Sequence, residues 1–399
     1  MVKAKITQRR VLSAPLPDGP QWMQPVDICI ICPAYPGADH RYGGQFVQAR
    51  VQTYRAAGLF CVVVVSRAEM TKDTVEIVNG VPVWRTGPAR LDRYLRKGLN
   101  RRAVLHHPDG ENWRVLSKYN ERLRPLAIFH GYEARPWRTL ESSYSAEEIT
   151  QLSVQLDVRD VARRETIQSI FNAASATPVF VSQTLREVAE SFAGIPAPEH
   201  TRIIHNPVPP ADFPYSPKAE KDRYNILWVR SFQSHNYAND LARDAVLALT
   251  KRADFARFKI TVCGAGKLWD EATRPLHPFT NIIRKRGFAD RDAMMELHRE
   301  HGIMLVPSRW ESQGLTMCEA MGSGLVPITT SVAAVPEFIS DQEGRVCPPE
   351  NAQALASAIG ELADDPALFM RLSKAAHRRA TEQFGLAATV AQEIELLKR

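Results

Sequence analysis

Glu311 and Glu319 stand on one short stretch with seven residues between them, Val306-Pro-Ser-Arg-Trp-Glu-Ser-Gln-Gly-Leu-Thr-Met-Cys-Glu-Ala-Met-Gly322. An apolar run ends at Pro307, and a short helix is predicted from Gly314, with Glu319 in its second turn. The first-turn N–H groups of a helix have no intrahelical partner, so Gly314, Leu315 and Thr316 open a ready anion site. Carboxylates accept hydrogen bonds from sugar hydroxyls. Two of them flanking an anion site suit a ligand with phosphates in its middle and hydroxyls at both ends. Read alone, the two glutamates equally fit a solvated loop and a helix surface. Arg230 directly follows the apolar run Asn225–Val229, and its guanidinium suits bidentate phosphate binding. Gly43-Gly44 and Gly287-Phe288 follow predicted strands too, where glycine lets a backbone approach a phosphate closely and also makes a plain tight turn. His130, after Leu126–Phe129, is either a satisfied structural histidine or an active-site residue.

The elements that must position these groups alternate. Asp27–Pro33 and Leu59–Val65 are continuous apolar runs, the mark of parallel strands buried on both faces, and Gln45–Ala57 between them has helical spacing. Further strands are predicted at 126–129 and 178–181, with helices at 146–174 and 183–191; Ser145 and Glu148 form a capping box. The rhythm restarts after the proline-rich stretch 206–214. Strands at 225–229, 258–263, 281–283, 302–306 and 325–328 alternate with helices at 237–249, 291–298, 314–322, 352–362 and 366–384. We therefore expect two doubly wound α/β domains, 1–212 and 213–380, with a helix in 381–399 packing back on the first. Ligands of open α/β sheets sit beyond the carboxyl ends of the strands, so two such domains face a cleft.

The Glu311 to Glu319 segment with its Ala320-Met-Gly-Ser-Gly-Leu-Val-Pro327 continuation resembles the E-x7-E region of family 4 glycosyltransferases. Ile28–Pro33 with Tyr42-Gly-Gly-Gln-Phe-Val47, Phe129-His-Gly131, Val181-Ser182, His205-Asn-Pro207 and Gly264-Ala-Gly266 follow in the family's order. The resemblance implies the GT-B fold, two Rossmann-like domains facing a cleft, and a retaining, metal-independent transfer from a nucleotide-diphosphate sugar to a glycan or lipid-linked acceptor, as in polysaccharide or glycoconjugate synthesis. It implies that Glu311 contacts the donor sugar, Glu319 the ribose, Arg230 the diphosphate, Gly43 and Gly44 a phosphate or the donor sugar, and that His130, catalytic with Glu311, contacts the donor sugar or helps its activation. The helix start at Gly314, Leu315 and Thr316 would help hold the leaving group, and Gly287 and Phe288 would border the nucleobase. The family's lysine a few residues after the arginine is missing: Ser234-His-Asn-Tyr237 takes its place, leaving His235 as the nearest potential cation. Two alternatives stay open, a nucleotide-sugar epimerase of the same fold and a non-catalytic glycan-binding relative.

Composition bounds the rest. The 399 residues are 44% hydrophobic and 24% charged, which excludes bulk disorder. The net charge of +7 admits phosphates and anionic lipids, but the basic residues are too dispersed for a nucleic-acid stripe. The exception is 85–102, where arginines and Lys97 face one acid, Asp92, and Leu91, Tyr94, Leu95 and Leu99 are interleaved. It reads as a peripheral membrane contact or as a solvated cationic or acceptor-facing surface. The longest apolar run, Leu59–Val65, is too short to span a bilayer, and the basic first ten residues lead into no apolar stretch. Four of the six cysteines lie in apolar runs, so a reducing cytoplasm is expected, with attachment to the inner membrane face as a variant. Asp290-Arg-Asp292 reads as a helix cap, and His106-His107 lacks a zinc pattern. No metal and no cofactor is expected.

Overall fold

The computed structural model describes residues 25–38 and 43–398. The basic first ten residues and Tyr42 lie outside the described residues. Eight strands form the first sheet: β1 (Val26–Cys32), β2 (Cys61–Ser66), β3 (Thr74–Val78), β4 (Val81–Thr86), β5 (Asn100–His106), β6 (Leu126–Phe129), β7 (Thr177–Phe180) and β8 (Arg202–Ile203), in the order β3-β4-β2-β1-β5-β6-β7-β8. Six form the second: β9 (Asn225–Val229), β10 (Lys259–Gly264), β11 (Ile282–Arg286), β12 (Ile303–Leu305), β13 (Val326–Thr330) and β14 (Arg345–Cys347), in the order β11-β10-β9-β12-β13-β14. Apart from the β3/β4 pair, every strand pairs in parallel.

The period of two explains why the central strands are apolar throughout. Cys29 and Ile31 of β1 enter one core, while Ile28, Ile30 and Cys32 enter the other, so both faces are covered. In the second sheet Ile226 and Trp228 of β9 face one core and Leu227 the other. The strand order reverses between β1 and β5 in one sheet and between β9 and β12 in the other. At such a switch point the loops leaving two neighbouring strands diverge and open a crevice. The four loops concerned carry Gly43-Gly44, His107, Arg230 and Glu311.

Three expectations change. The hairpin β3–β4 is absent from the sequence reading, although Asn79-Gly80 at its tip, with φ of 48° and 76°, is a tight-hairpin signal. The helix expected from Tyr237 starts at Asn239, because Ala238 is left-handed (φ 45°) and ends a 3₁₀ turn at His235–Tyr237. The basic stretch 85–102 is the end of β4, a helix Pro88–Arg96 and the start of β5. Leu91, Tyr94 and Leu95 are buried in the core, Arg85 pairs with Glu76, Arg90 with Asp73 and Arg96 with Asp92. The apolar side of that segment is therefore spent inside the protein, and only charge is left for a membrane surface. Among the described residues no helix is long and apolar enough to cross a membrane.

The helix Val390–Lys398 packs against Gln45–Ala56 of the first half. Its Glu393 is fully buried, accepting from Arg50 Nε (2.8 Å) and from the Tyr54 hydroxyl. The two halves also meet directly. Glu337 of the second half accepts from the main-chain N–H groups of Gln183 and Thr184, both at 2.8 Å, at the start of helix Gln183–Ala193. Asn206 and Gln313 exchange two hydrogen bonds, and Ser312 Oγ donates to the His130 carbonyl (2.5 Å).

Candidate active site

The second sheet's switch point is built around Arg230. The loop after β12 brings Ser308 and Glu311 beside it: Nη2 donates to Glu311 Oε1 (2.9 Å), to Ser308 Oγ and to the Pro307 carbonyl (3.3 Å). Ser308 in turn donates to the same Glu311 oxygen at 2.8 Å. Expected to hold different parts of one ligand, Arg230 and Glu311 here hold each other. Arg230 is buried, its Nε has no hydrogen-bond partner among the described residues, and its guanidinium lies 5.1 Å from the Tyr237 ring centre. A cavity of about 230 Å³ opens here, lined by Arg230, Ser231, Tyr237, Gly264, Gly287, Phe288 and Thr316 among others. The structure thus gathers Arg230, Gly287, Phe288 and Thr316 on one surface. Phe288 is 61% exposed, a ring left uncovered at the cavity edge.

The helix Leu315–Gly322 starts at Gly314 in a left-handed conformation (φ 79°) without a side-chain cap, whereas Ser182, Asp290 and Asn351 cap the helices that follow them. A capping oxygen would itself satisfy first-turn N–H groups. Gly314 leaves those of Leu315 and Thr316 open. The helix Gln45–Ala56 at the first sheet's switch point likewise starts without a side-chain cap, at Gly44 (φ 72°). A Cβ on Gly44 would lie 2.5 Å from the Ala34 carbonyl oxygen, so the turn itself requires glycine. Gly43 is looser, with 3.3 Å to the Ala34 side chain. Asp290 caps its own helix through Ala293 N–H.

Glu319 is partly buried one turn into the Gly314 helix, and no hydrogen bond reaches its carboxylate among the described residues. Burial pushes its pKa up to about 8, against the partial opposition of Arg230. Much of the water around this acid is removed, and no donor of the described residues replaces it.

The first sheet contributes a histidine cluster. His130, expected to touch the donor sugar, is 6% exposed with both ring nitrogens engaged: Nδ1 with Asn206 Oδ1 and Nε2 with His106 Nδ1, each at 3.0 Å. Arg50 Nη1 donates to the same Asn206 oxygen at 3.0 Å, and arginine can only donate. That oxygen is therefore an acceptor, His130 Nδ1 carries the proton, and Nε2 accepts from His106. Burial, with His107 and His106 adding to it, holds His130 well below its ordinary pKa. Its ring is a neutral, fully bonded wall 4.7 Å from Phe46. Sequence reasoning missed its neighbour. His107 (φ 52°) is held through Nδ1 by Glu133 Oε2 (3.1 Å) and stacks on Tyr132 at 5.4 Å. Glu133 also accepts from the Gly131 and His130 N–H groups; burial raises its pKa, but His107 and these donors prevail and hold it below the usual range. The spacing of 107 and 133 carries no local signal. Only the side-by-side pairing of β5 and β6, whose carboxyl ends lie together, makes them a pair.

The expected substitute cation, His235, faces a separate shallow depression with Asn239, Asp240 and Arg243 instead of the Arg230 cavity. Arg309 is committed to Asp240 and Glu350. The C-x-x-C cysteines, Cys29 and Cys32, are buried thiols, with burial pushing both pKa values up.

Residues 223–365 match the family model described as glycosyl transferases group 1. Glycogen synthase of Mycobacterium tuberculosis is 26% identical over 205 residues, which cover 50% of this chain and 48% of that protein. The chain therefore spans about half the length of the curated relatives it matches first. Sucrose-phosphate synthase from Thermosynechococcus elongatus superposes with a TM-score of 0.70 at 17% identity, covering 93% of this chain and 98% of that one. Anabaena HepE, solved with UDP and glucose, gives 0.66 at 13% identity, covering 94% and 99%. These likenesses establish the fold: two Rossmann-like domains in the GT-B arrangement of glycosyltransferases.

Proposed function

We propose that this chain moves a sugar from a nucleotide-diphosphate donor to a hydroxyl of a glycan or lipid-linked acceptor, with retention at the anomeric carbon and without a metal, in polysaccharide or glycoconjugate synthesis. One observation carries the reading: a cation and two carboxylates, Arg230, Glu311 and Glu319, surround an uncapped helix start at a sheet switch point. The bond between the sugar and the diphosphate breaks as the acceptor hydroxyl oxygen attaches; negative charge grows on the departing phosphate, which takes up the hydroxyl proton. Preorganised donors at that charge lower the barrier. Arg230 and the N–H groups of Leu315 and Thr316 supply them. When the diphosphate draws Arg230 away, Glu311 is released to accept from sugar hydroxyls. Glu319 takes the ribose, and Gly287 and Phe288 border the base. Gly43 and Gly44 bring the first half's backbone to the donor, and His130 with Phe46 walls the sugar side. Closure of the two halves excludes water and limits donor hydrolysis.

The test is nucleotide diphosphate release from UDP, GDP, ADP and dTDP sugars, with and without glycan acceptors and in EDTA. Release that depends on acceptor and survives EDTA is expected. A protein that neither binds nor turns over any of these donors refutes the proposal.

A further inference from the structure

Arg135, in the seam between the halves, has no ion-pair partner among the described residues; the nearest acids, Glu133 and Glu311, act on it only from a distance. It follows the turn Tyr132–Ala134, is 9% exposed, and its buried Nε meets no hydrogen-bond acceptor among the described residues. The nearby arginines are all paired: Arg163 with Asp160, Arg230 with Glu311 and Arg309 with Asp240 and Glu350. Instead of an acid, Arg135 has an aromatic support. Its guanidinium stacks on Trp310 at 4.4 Å from the ring centre, and Trp310 is the residue before Glu311. The contact crosses from the first half to the second. The same cluster feels Arg135 and Arg230 together: both act on the Tyr237 hydroxyl, whose pKa burial and Glu311 raise against them. Burial lowers the Arg135 pKa to about 10, with Glu133 opposing. A buried charge without a partner is costly and is retained where a ligand completes it.

We propose that Arg135 is an anion-receiving residue of the cleft, which grips a phosphate group of the substrate from the first half while Arg230 acts from the second. The inference rests on the sugar-transfer reading and deepens it. Arg230 enters the reaction neutralised by Glu311, so a dianionic diphosphate meets less than one net charge on that side. Arg135 supplies the other, its planar fork of donors held over the Trp310 ring. The phosphate belongs either to the donor or to a phosphorylated acceptor.

Wild type, Arg135→Gln and Arg135→Lys are titrated calorimetrically with UDP, GDP, ADP and dTDP, and with the matching nucleosides. Inorganic phosphate is then titrated both alone and over the tightest saturating diphosphate. If the donor supplies the phosphate, the glutamine variant loses about 10- to 100-fold in diphosphate affinity, the usual worth of a charge-assisted bond, with nucleoside affinity unchanged. If the acceptor supplies it, diphosphate binding is kept and the inorganic phosphate site is lost. Lysine restores part of either effect. Without ligand, the glutamine variant melts no lower than wild type, because an uncompensated charge has been removed. Equal titrations for wild type and the glutamine variant, or a wild type that binds none of the probes, overturn the proposal. Arg135-dependent binding in a protein that transfers no sugar would instead remove the transfer reading and leave this site standing.

Discussion

Glu319 stores a cost that ligand binding should relieve, and replacing it by glutamine exposes both sides of that exchange. Its pKa stands at about 8, against an ordinary 4.5. The sign follows from proton counting. Below pH 4.5 the acid is protonated in both folded and unfolded chains and costs nothing. As pH rises towards 8, the unfolded chain ionises and the folded one does not, so stability falls by about 1.4 kcal/mol per pH unit and then levels off. At pH 7 the stored cost is on the order of 3 kcal/mol, an upper value because part of the side chain stays in water. Glu319→Gln should therefore raise the melting temperature of the empty protein by up to roughly 6–12 °C at pH 7, at about 2–4 °C per kcal/mol for a unit of this size. At pH 4 the difference should vanish. The ligand reverses the ranking: the nucleoside diphosphate that stabilises wild type should bind the variant about 10- to 100-fold more weakly, one charged acceptor for ribose having been lost. Melting curves of both proteins from pH 4 to pH 8.5, with and without that nucleotide, measure all of this. A variant no more stable than wild type at pH 7 removes the argument from desolvation. A variant stabilised by the nucleotide as strongly as wild type removes the ribose role.

The other predictions concern the groups that hold the site in place. Arg230→Gln should abolish diphosphate binding in calorimetry; wild-type affinity in this variant would contradict the assignment. Glu393→Ala strips the counter-ion from a fully buried arginine and should cost about 3–5 kcal/mol in urea unfolding. Glu393→Gln, which keeps an acceptor for Arg50 but not the charge, should cost less, and equal losses would show that the acceptor contributes nothing without the charge. Glu337→Gln keeps the shape of the contact with helix Gln183–Ala193 but removes its charge, worth about 0.3–1 kcal/mol at a helix start. Small-angle scattering should then show a larger radius of gyration for the empty protein, and an unchanged profile would mean that the contact does not hold the halves together.

The local rules read the frame well and the contacts poorly. Unbroken apolar runs marked β1, β2 and β9, and the capping box at Ser145 and Glu148 is present in the structure. Such signals lie within a few residues of one another. Arg50 shows the opposite case: a charged residue in a helix reads as solvent-facing, yet it is fully buried because Glu393, far along the chain, meets it. His107 and Glu133 are a pair of the same kind, made by the neighbouring ends of β5 and β6, and Arg135 on Trp310 is another, made where the two halves meet. In the basic stretch 85–102 charge spacing does not say that Arg85, Arg90 and Arg96 already have acids beside them.

The burial of Glu393 also sets a timetable. Arg50 and its carboxylate are separated by 343 positions. A ribosome adding about 5–20 residues per second needs roughly 20–70 s between the two. Once β8 has been made the first sheet has all its strands, yet for the rest of that interval the helix Gln45–Ala56 has an arginine without its carboxylate and an apolar flank without its cover. The first half is thus synthesised early and finished late, and only once the second half has been made. Nascent chains arrested before residue 385 should remain open to protease at Gln45–Ala56, and those released after residue 398 should not.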